Sequence, residues 1–196
     1  MVRCGFLLIF VASLGGATAI AAPPPADVFV RGKVDELADL LASGKPDRLN
    51  QVRDRVRQVA DFSGFAERAL GKTWQDLSKD EKARFQAALQ KLLESHYMAH
   101  SGSVFDKNKL VVKSVAAEPE GATVTAAVKQ PDVDVGVVVK LKSVGDTWQV
   151  RDVILDGLSL LEDYRSQFQS YLKKKSMGQL IDKLEAKAQA NLAKKG

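Results

Sequence analysis

His96 and His100 stand four residues apart in SHYMAHS. On a helix that spacing brings two imidazoles to one face, where they could share a metal ion. A zinc protease would place Glu directly after the first His; here Tyr97 follows, and the chain has no third His and a single Cys, Cys4. No Cys/His set for a structural zinc can be assembled from that inventory. The plainer reading puts His96 at the border of an apolar stripe and His100 near a helix end, where a partly charged imidazole suits the dipole. We therefore expect no bound metal and no cofactor.

Asp152 is the second candidate. In WQVRDVIL, strict alternation places it on the same strand face as Trp148, Val150 and Ile154. A buried carboxylate has to be paired, or its pKa rises. It could serve as the general base of a cone-shaped α+β enzyme, or as a structural acid bonded to a cation or a helix N-terminus; a strand bulge could also turn it outward. The third candidate is Arg165, set between Tyr164 and Phe168 in DYRSQF. The two aromatics share one helix face, and Arg165 is turned about 100° from Tyr164. A cation so placed can mark the rim of an apolar surface, meeting a phosphate or pairing with an acid such as Asp152 or Glu162. No phosphate-binding glycine loop, dinucleotide fingerprint or nucleophile elbow is present to support nucleotide or acyl-transfer chemistry.

These residues are positioned by a simple succession of elements. Apolar residues at helical spacing run through 28–42, 47–59 and 61–70. Gly44-Lys45-Pro46 breaks the first of these helices and Gly71 ends the third. Ser78-Lys79-Asp80-Glu81 is a capping box that opens a long helix to about residue 101. The period then changes to two. Segments 110–117, 122–129, 135–142 and 147–155 are rich in Val and bounded by Gly, Pro and Asp, so they read as strands. Their short links require antiparallel neighbours. One sheet face should carry Ala122, Val124, Ala126 and Val128, then Val135, Val137, Val139 and Leu141, then Trp148, Val150 and Ile154. Ser159-Leu160-Leu161-Glu162 is a second capping box, and Ser176 to Gln179 resembles a third. Helices before and after an antiparallel sheet predict an α+β fold.

The chain as a whole narrows the class. Arg3, the apolar run from Phe6 to Ala12 and the small-residue pairs near Ala19 and Ala21 have the form of an export signal. Cleavage is expected after Ala21, leaving residues 22–196 as a single domain without cysteine that must be held by its core. No later stretch is apolar enough to cross a bilayer. Composition is ordinary for a globular protein, at 45% hydrophobic and 27% charged. The net charge of +5 favours anionic surfaces. Nucleic acid is not an expected partner, because the basic residues mostly alternate with acids.

Two blocks carry a resemblance. LGKTWQDLSKDEKARFQAALQKLLESHY spans residues 70–97, and WQVRDVILDGLSLLEDYRSQF spans 148–168. In that order, behind an export signal, they resemble the MlaC family of periplasmic phospholipid-binding proteins, also described as toluene-tolerance auxiliary proteins. The likeness runs from about residue 28 to 184. It departs from the family at Lys140-Leu141, where the third strand usually carries an aromatic-led Y-R-L.

The resemblance implies a twisted antiparallel sheet of about four strands, NTF2-like, with an apolar cavity between sheet and flanking helices. It implies a monomeric shuttle, not an enzyme, that carries phospholipid between an outer-membrane lipoprotein complex and an inner-membrane MCE-domain ABC transporter, a role in outer-membrane lipid asymmetry. The expected cavity walls are Leu89, Leu93, Tyr97, Val124, Val137, Val139, Trp148, Val150, Leu161, Tyr164 and Phe168, with Arg165 at the rim. Three alternatives stay open: an NTF2-like enzyme using Asp152 as base, a carrier of hopanoid or another apolar lipid, and a ligand-free adaptor between envelope proteins.

Overall fold

The computed structural model describes residues 22–104 and 109–193, with the backbone alone for 97–104. The expected signal segment and the side chains of Tyr97 and His100 lie outside the described residues. Helix α1 (Ala26–Ala42) starts after Pro25, and α2 (Arg48–Val59) follows Gly44, whose φ is 65°. Asp61 caps α3 (Phe62–Leu70) by accepting from Gly64 N at 2.9 Å. A single turn, α4 (Lys72–Gln75), leads to the long α5 (Lys79–Val104). Its capping box forms reciprocally: Glu81 N donates to Ser78 Oγ at 3.2 Å, and Ser78 N donates to Glu81 Oε2 at 3.0 Å.

Strands β1 (Leu110–Glu118), β2 (Gly121–Val128), β3 (Val135–Val144), β4 (Thr147–Leu155) and β5 (Leu158–Ser159) form one antiparallel sheet in chain order. The fifth strand is only two residues long, a hairpin return from β4. Gly121 is required where β2 begins, because a Cβ there would sit 2.0 Å from Leu141 O. Helix α6 (Leu160–Leu172) starts directly after β5, and α7 (Met177–Ala193) closes the described chain. The third box also forms, with Gln179 N on Ser176 Oγ at 3.3 Å and Ser176 N on Gln179 Oε1 at 3.1 Å.

The buried apolar residues divide into two clusters. The larger lies among helices α3, α5, α6 and α7 and includes Phe65, Phe85, Leu89, Phe168 and Ile181. The smaller joins α1 to the sheet through Ala26, Val30, Ala122, Val124 and Leu141. Each fully buried Leu, Phe or Ile contributes about 1.5–3 kcal/mol. Among the described residues, α1 packs on β1 and β2, while α2, α3 and α6 meet the sheet at β4; no helix has its principal contact with β3.

Polar bonds join the layers. Glu94 on α5, 7% exposed, receives Arg57 Nε at 2.6 Å and Nη2 at 2.8 Å. That hydrogen bond raises the Arg57 pKa, outweighing the lowering by desolvation. At the edge of β4, Asp61 N donates to Val150 O at 3.0 Å and Arg68 Nη2 to Arg151 O at 3.0 Å. Asn191 Nδ2 donates to the buried Ser95 Oγ at 3.1 Å, tying α7 to α5.

Candidate functional site

Residues directly opposite in an antiparallel ladder share a face, so the register defines the apolar surface of the sheet. Val124 pairs with Val139 and Ala126 with Val137. Val137 pairs with Leu155, and Val139 with Val153. Between these rows β4 carries an irregularity: Lys140 pairs with Asp152 but Leu141 pairs with Val150, which leaves Arg151 as an extra residue. The bulge reverses the alternation beyond Val150. The apolar face of β4 is therefore Trp148, Val150, Val153 and Leu155, and strict alternation errs in placing Asp152 and Ile154 on it. Asp152 lies with Lys140 on the opposite face.

Asp152 is nevertheless only 6% exposed, because the start of α6 lies against it. Its Oδ2 accepts from Ser159 Oγ at 2.6 Å, and its Oδ1 accepts from Leu161 N at 3.0 Å. Ser159 Oγ in turn accepts from Glu162 N at 3.1 Å. The α6 N-terminus is thus capped twice, once from its own chain and once from the strand. Glu162 does not complete a reciprocal box; it turns to Arg165, whose Nη1 stands 3.4 Å from Glu162 Oε1. We expect Asp152→Ala to cost about 1–3 kcal/mol, the penalty for leaving a buried amide donor unmatched. Urea unfolding measures this, and Asp152→Asn, which retains one acceptor, should lose less. A loss no greater for Ala than for Asn would remove the capping explanation.

The sequence-predicted wall residues fall on both sides of the division between clusters. Leu89, Leu93, Tyr164 and Phe168 are buried in the helical cluster, with Leu161 packed against it. Phe65 meets Tyr164 edge-on with ring centroids 6.1 Å apart. Burial raises the Tyr164 hydroxyl pKa, and the neighbouring Asp163 charge adds to the effect. Val124 is fully buried in the sheet cluster, with Val139, Trp148 and Val150 packed against it. The Trp148 indole is fixed by a 2.7 Å bond from its Nε1 to Pro24 O. Val137 belongs to neither cluster and is half-buried.

The Arg165 guanidinium pairs with Glu162 and not with Asp152. It fronts a polar groove of about 500 Å³ on the outer side of α6, shared with Ser166, Gln169, Ser170 and Lys173. Sequence reasoning missed Val153 and Leu155, whose place on the apolar face depends on the bulge. The one local signal for it is the acid Asp152 on an otherwise apolar strand face, which a bulge would turn outward.

Fold and site together define an α+β protein built on an open antiparallel meander, whose apolar face packs on α1 beside a separately packed helical cluster. The family model described as MlaC protein matches residues 32–186, and the chain belongs to the MlaC family. A solved structure with this fold is a phospholipid-binding protein from Ralstonia solanacearum in complex with a phospholipid. It aligns with a TM-score of 0.73 at 22% identity, covering 86% of this chain and 99% of that one. No curated protein matches the chain at a significant level.

Proposed function

We propose that this protein is a periplasmic lipid carrier that holds the acyl chains of a phospholipid between its sheet face and its helical cluster. The observation that carries this reading is the lane along β3. Val135, Val137 and Val139 lie in the middle of an apolar sheet face, yet all three remain half-buried. A face of this kind in a solid core would be closed by close packing. The Ralstonia relative, of the same fold, is described in complex with a phospholipid.

The physical task suits such a lane. Two acyl chains carry roughly 30 methylenes at about 0.8 kcal/mol each, so bare passage through water opposes transfer by on the order of 20 kcal/mol. An apolar lane removes most of that cost without catalysis. On the sheet the walls are Val137, Val139, Trp148 and Val150, backed by the buried Val124; on the helical side Leu161 is the wall, backed by Leu89, Leu93, Tyr164 and Phe168, which are buried inside the helical cluster. Tyr97 is assigned to the helical wall by sequence alone, and Arg165 is left to its surface pair. In this reading residues 1–21 direct export, residues 22–196 form the carrier, and the cargo passes between outer-membrane and inner-membrane complexes. The alternative base chemistry at Asp152 finds no support, since both carboxylate oxygens are engaged in capping.

The deciding experiment is to purify the mature protein without detergent, extract it with organic solvent and identify the extract by mass spectrometry. We expect about one phospholipid per protein, the stoichiometry of a single enclosed site. A hopanoid in its place would change the cargo and keep the carrier. A clean extract from folded protein would sink the carrier reading.

A further inference from the structure

One cross-strand row of the apolar face runs the full width of the sheet. Val112 pairs with Ala126, Ala126 with Val137, Val137 with Leu155, and Leu155 with Leu158. Exposure rises along it toward β5: Ala126 is 2% exposed, Val137 half-buried, Leu155 44% and Leu158 77% exposed. An isolated exposed leucine on a protein surface is ordinary. A continuous apolar row that begins in the interior and emerges at a sheet edge is a different arrangement.

The two leucines are held in place by local structure. Asp156 and Gly157 have φ of 47° and 83°, the pair of positive values that a two-residue type I′ hairpin requires. Asp156 further clamps the turn to β3, donating its N–H to Gly136 O at 2.9 Å and accepting from Gly136 N at 2.7 Å through Oδ1. Immediately beyond, Ser159 is bound to Asp152 and begins α6. Leu155 and Leu158 are thus fixed on both sides and presented to water.

We propose that Leu155 and Leu158 form the lip of the lane, the edge over which acyl chains pass during loading and release. The proposal rests on the carrier reading and adds the route to it. The occupant is the acyl portion of the cargo itself. The row gives a chain leaving the half-buried Val137 position an unbroken apolar track to the surface, so its methylenes need not be wetted all at once. The lip is a kinetic element. Its residues are too exposed to contribute much to equilibrium retention, which is the work of the buried walls.

The test compares wild-type protein, Leu158→Glu and Leu158→Met. Each is loaded with fluorescent phosphatidylglycerol and mixed with acceptor vesicles of phosphatidylethanolamine and phosphatidylglycerol. Release is followed by fluorescence, and occupancy before mixing by native mass spectrometry. We expect Leu158→Glu to slow release by about tenfold or more, because a carboxylate now interrupts the apolar track. Occupancy should be unchanged and Leu158→Met should behave as wild type. Leu192→Glu, on the exposed face of α7 where Leu192 is 54% exposed, controls for added negative charge. An unchanged rate in Leu158→Glu, an equal slowing in Leu192→Glu, or a loss of occupancy matching the loss of rate would each overturn the lip. Absence of lipid from the wild-type protein would instead strike at the carrier itself.

Discussion

Val137→Trp is expected to reduce bound lipid by about tenfold while leaving the protein folded. Val137 lies between Ala126 and Leu155 in its cross-strand row, on the face proposed to hold the acyl chains. It is half-buried and belongs to neither close-packed cluster. An indole can therefore take up space meant for methylenes without forcing apart side chains already in contact. Overfilling a dense core typically costs about 1–3 kcal/mol, and a residue facing an open lane should lose less. A tenfold fall in lipid needs only about 1.4 kcal/mol of lost affinity, the equivalent of roughly two displaced methylenes. The matched control is Val138→Trp. Val138 pairs with Thr125 and Ile154 on the opposite face, so its replacement should leave lipid content unchanged. Native mass spectrometry of both variants reads the result. Equal occupancy in the two would mean that the lane is not where the acyl chains lie.

Phe168→Ala should produce the largest loss of stability. Phe168 is 3% exposed and holds the centre of an aromatic group on the inner face of α6. Its ring meets Phe85 at 5.5 Å and 82°, and Tyr164 at 5.5 Å and 45°. Phe85 is fully buried. Deleting a ring from such a site costs about 3–5 kcal/mol, the lost transfer energy plus the cavity left behind. In a chain of this size that lowers Tm by about 6–20 °C. The comparison must be made on delipidated protein, since a ligand that binds only the native state adds its own stabilisation. If the delipidated variant lost less than about 1 kcal/mol, the helical cluster would not be the close-packed body described above.

These two substitutions mark the difference between the two apolar bodies. Phe168 belongs to a core that is already complete, so its loss is paid in folding energy. Val137 lies on a surface left unfinished, so its enlargement is felt in ligand occupancy. Both positions read in the sequence as apolar residues on the inner face of their elements. Nothing in periodicity separates them, because the pattern reports which face turns inward and not whether the opposing face closes on it.

The features legible in the residues were local. The capping boxes at Ser78 and Ser176 form as written, because a hydroxyl and a side chain three residues on can satisfy orphan amides with no help from elsewhere. Gly71 ends a helix and short links keep the strands antiparallel; the hairpin at Asp156-Gly157, with the fifth strand it makes, was not foreseen. The two motif blocks identified the family from residues alone. Whatever depended on partners distant in the chain followed from how the elements pack. The bulge at Arg151 moved Asp152 and Ile154 to the other face, since one inserted residue reverses every later position in a period of two. The α6 N-terminus then covered Asp152 and made it a cap, while Glu162 went to Arg165. The apolar side chains divided into a closed helical cluster and a half-open sheet face because α1 packs on β1 and β2 while α2, α3 and α6 meet β4, which leaves β3 between them. That division arises from how whole layers meet, and interactions within four residues of the backbone cannot specify it.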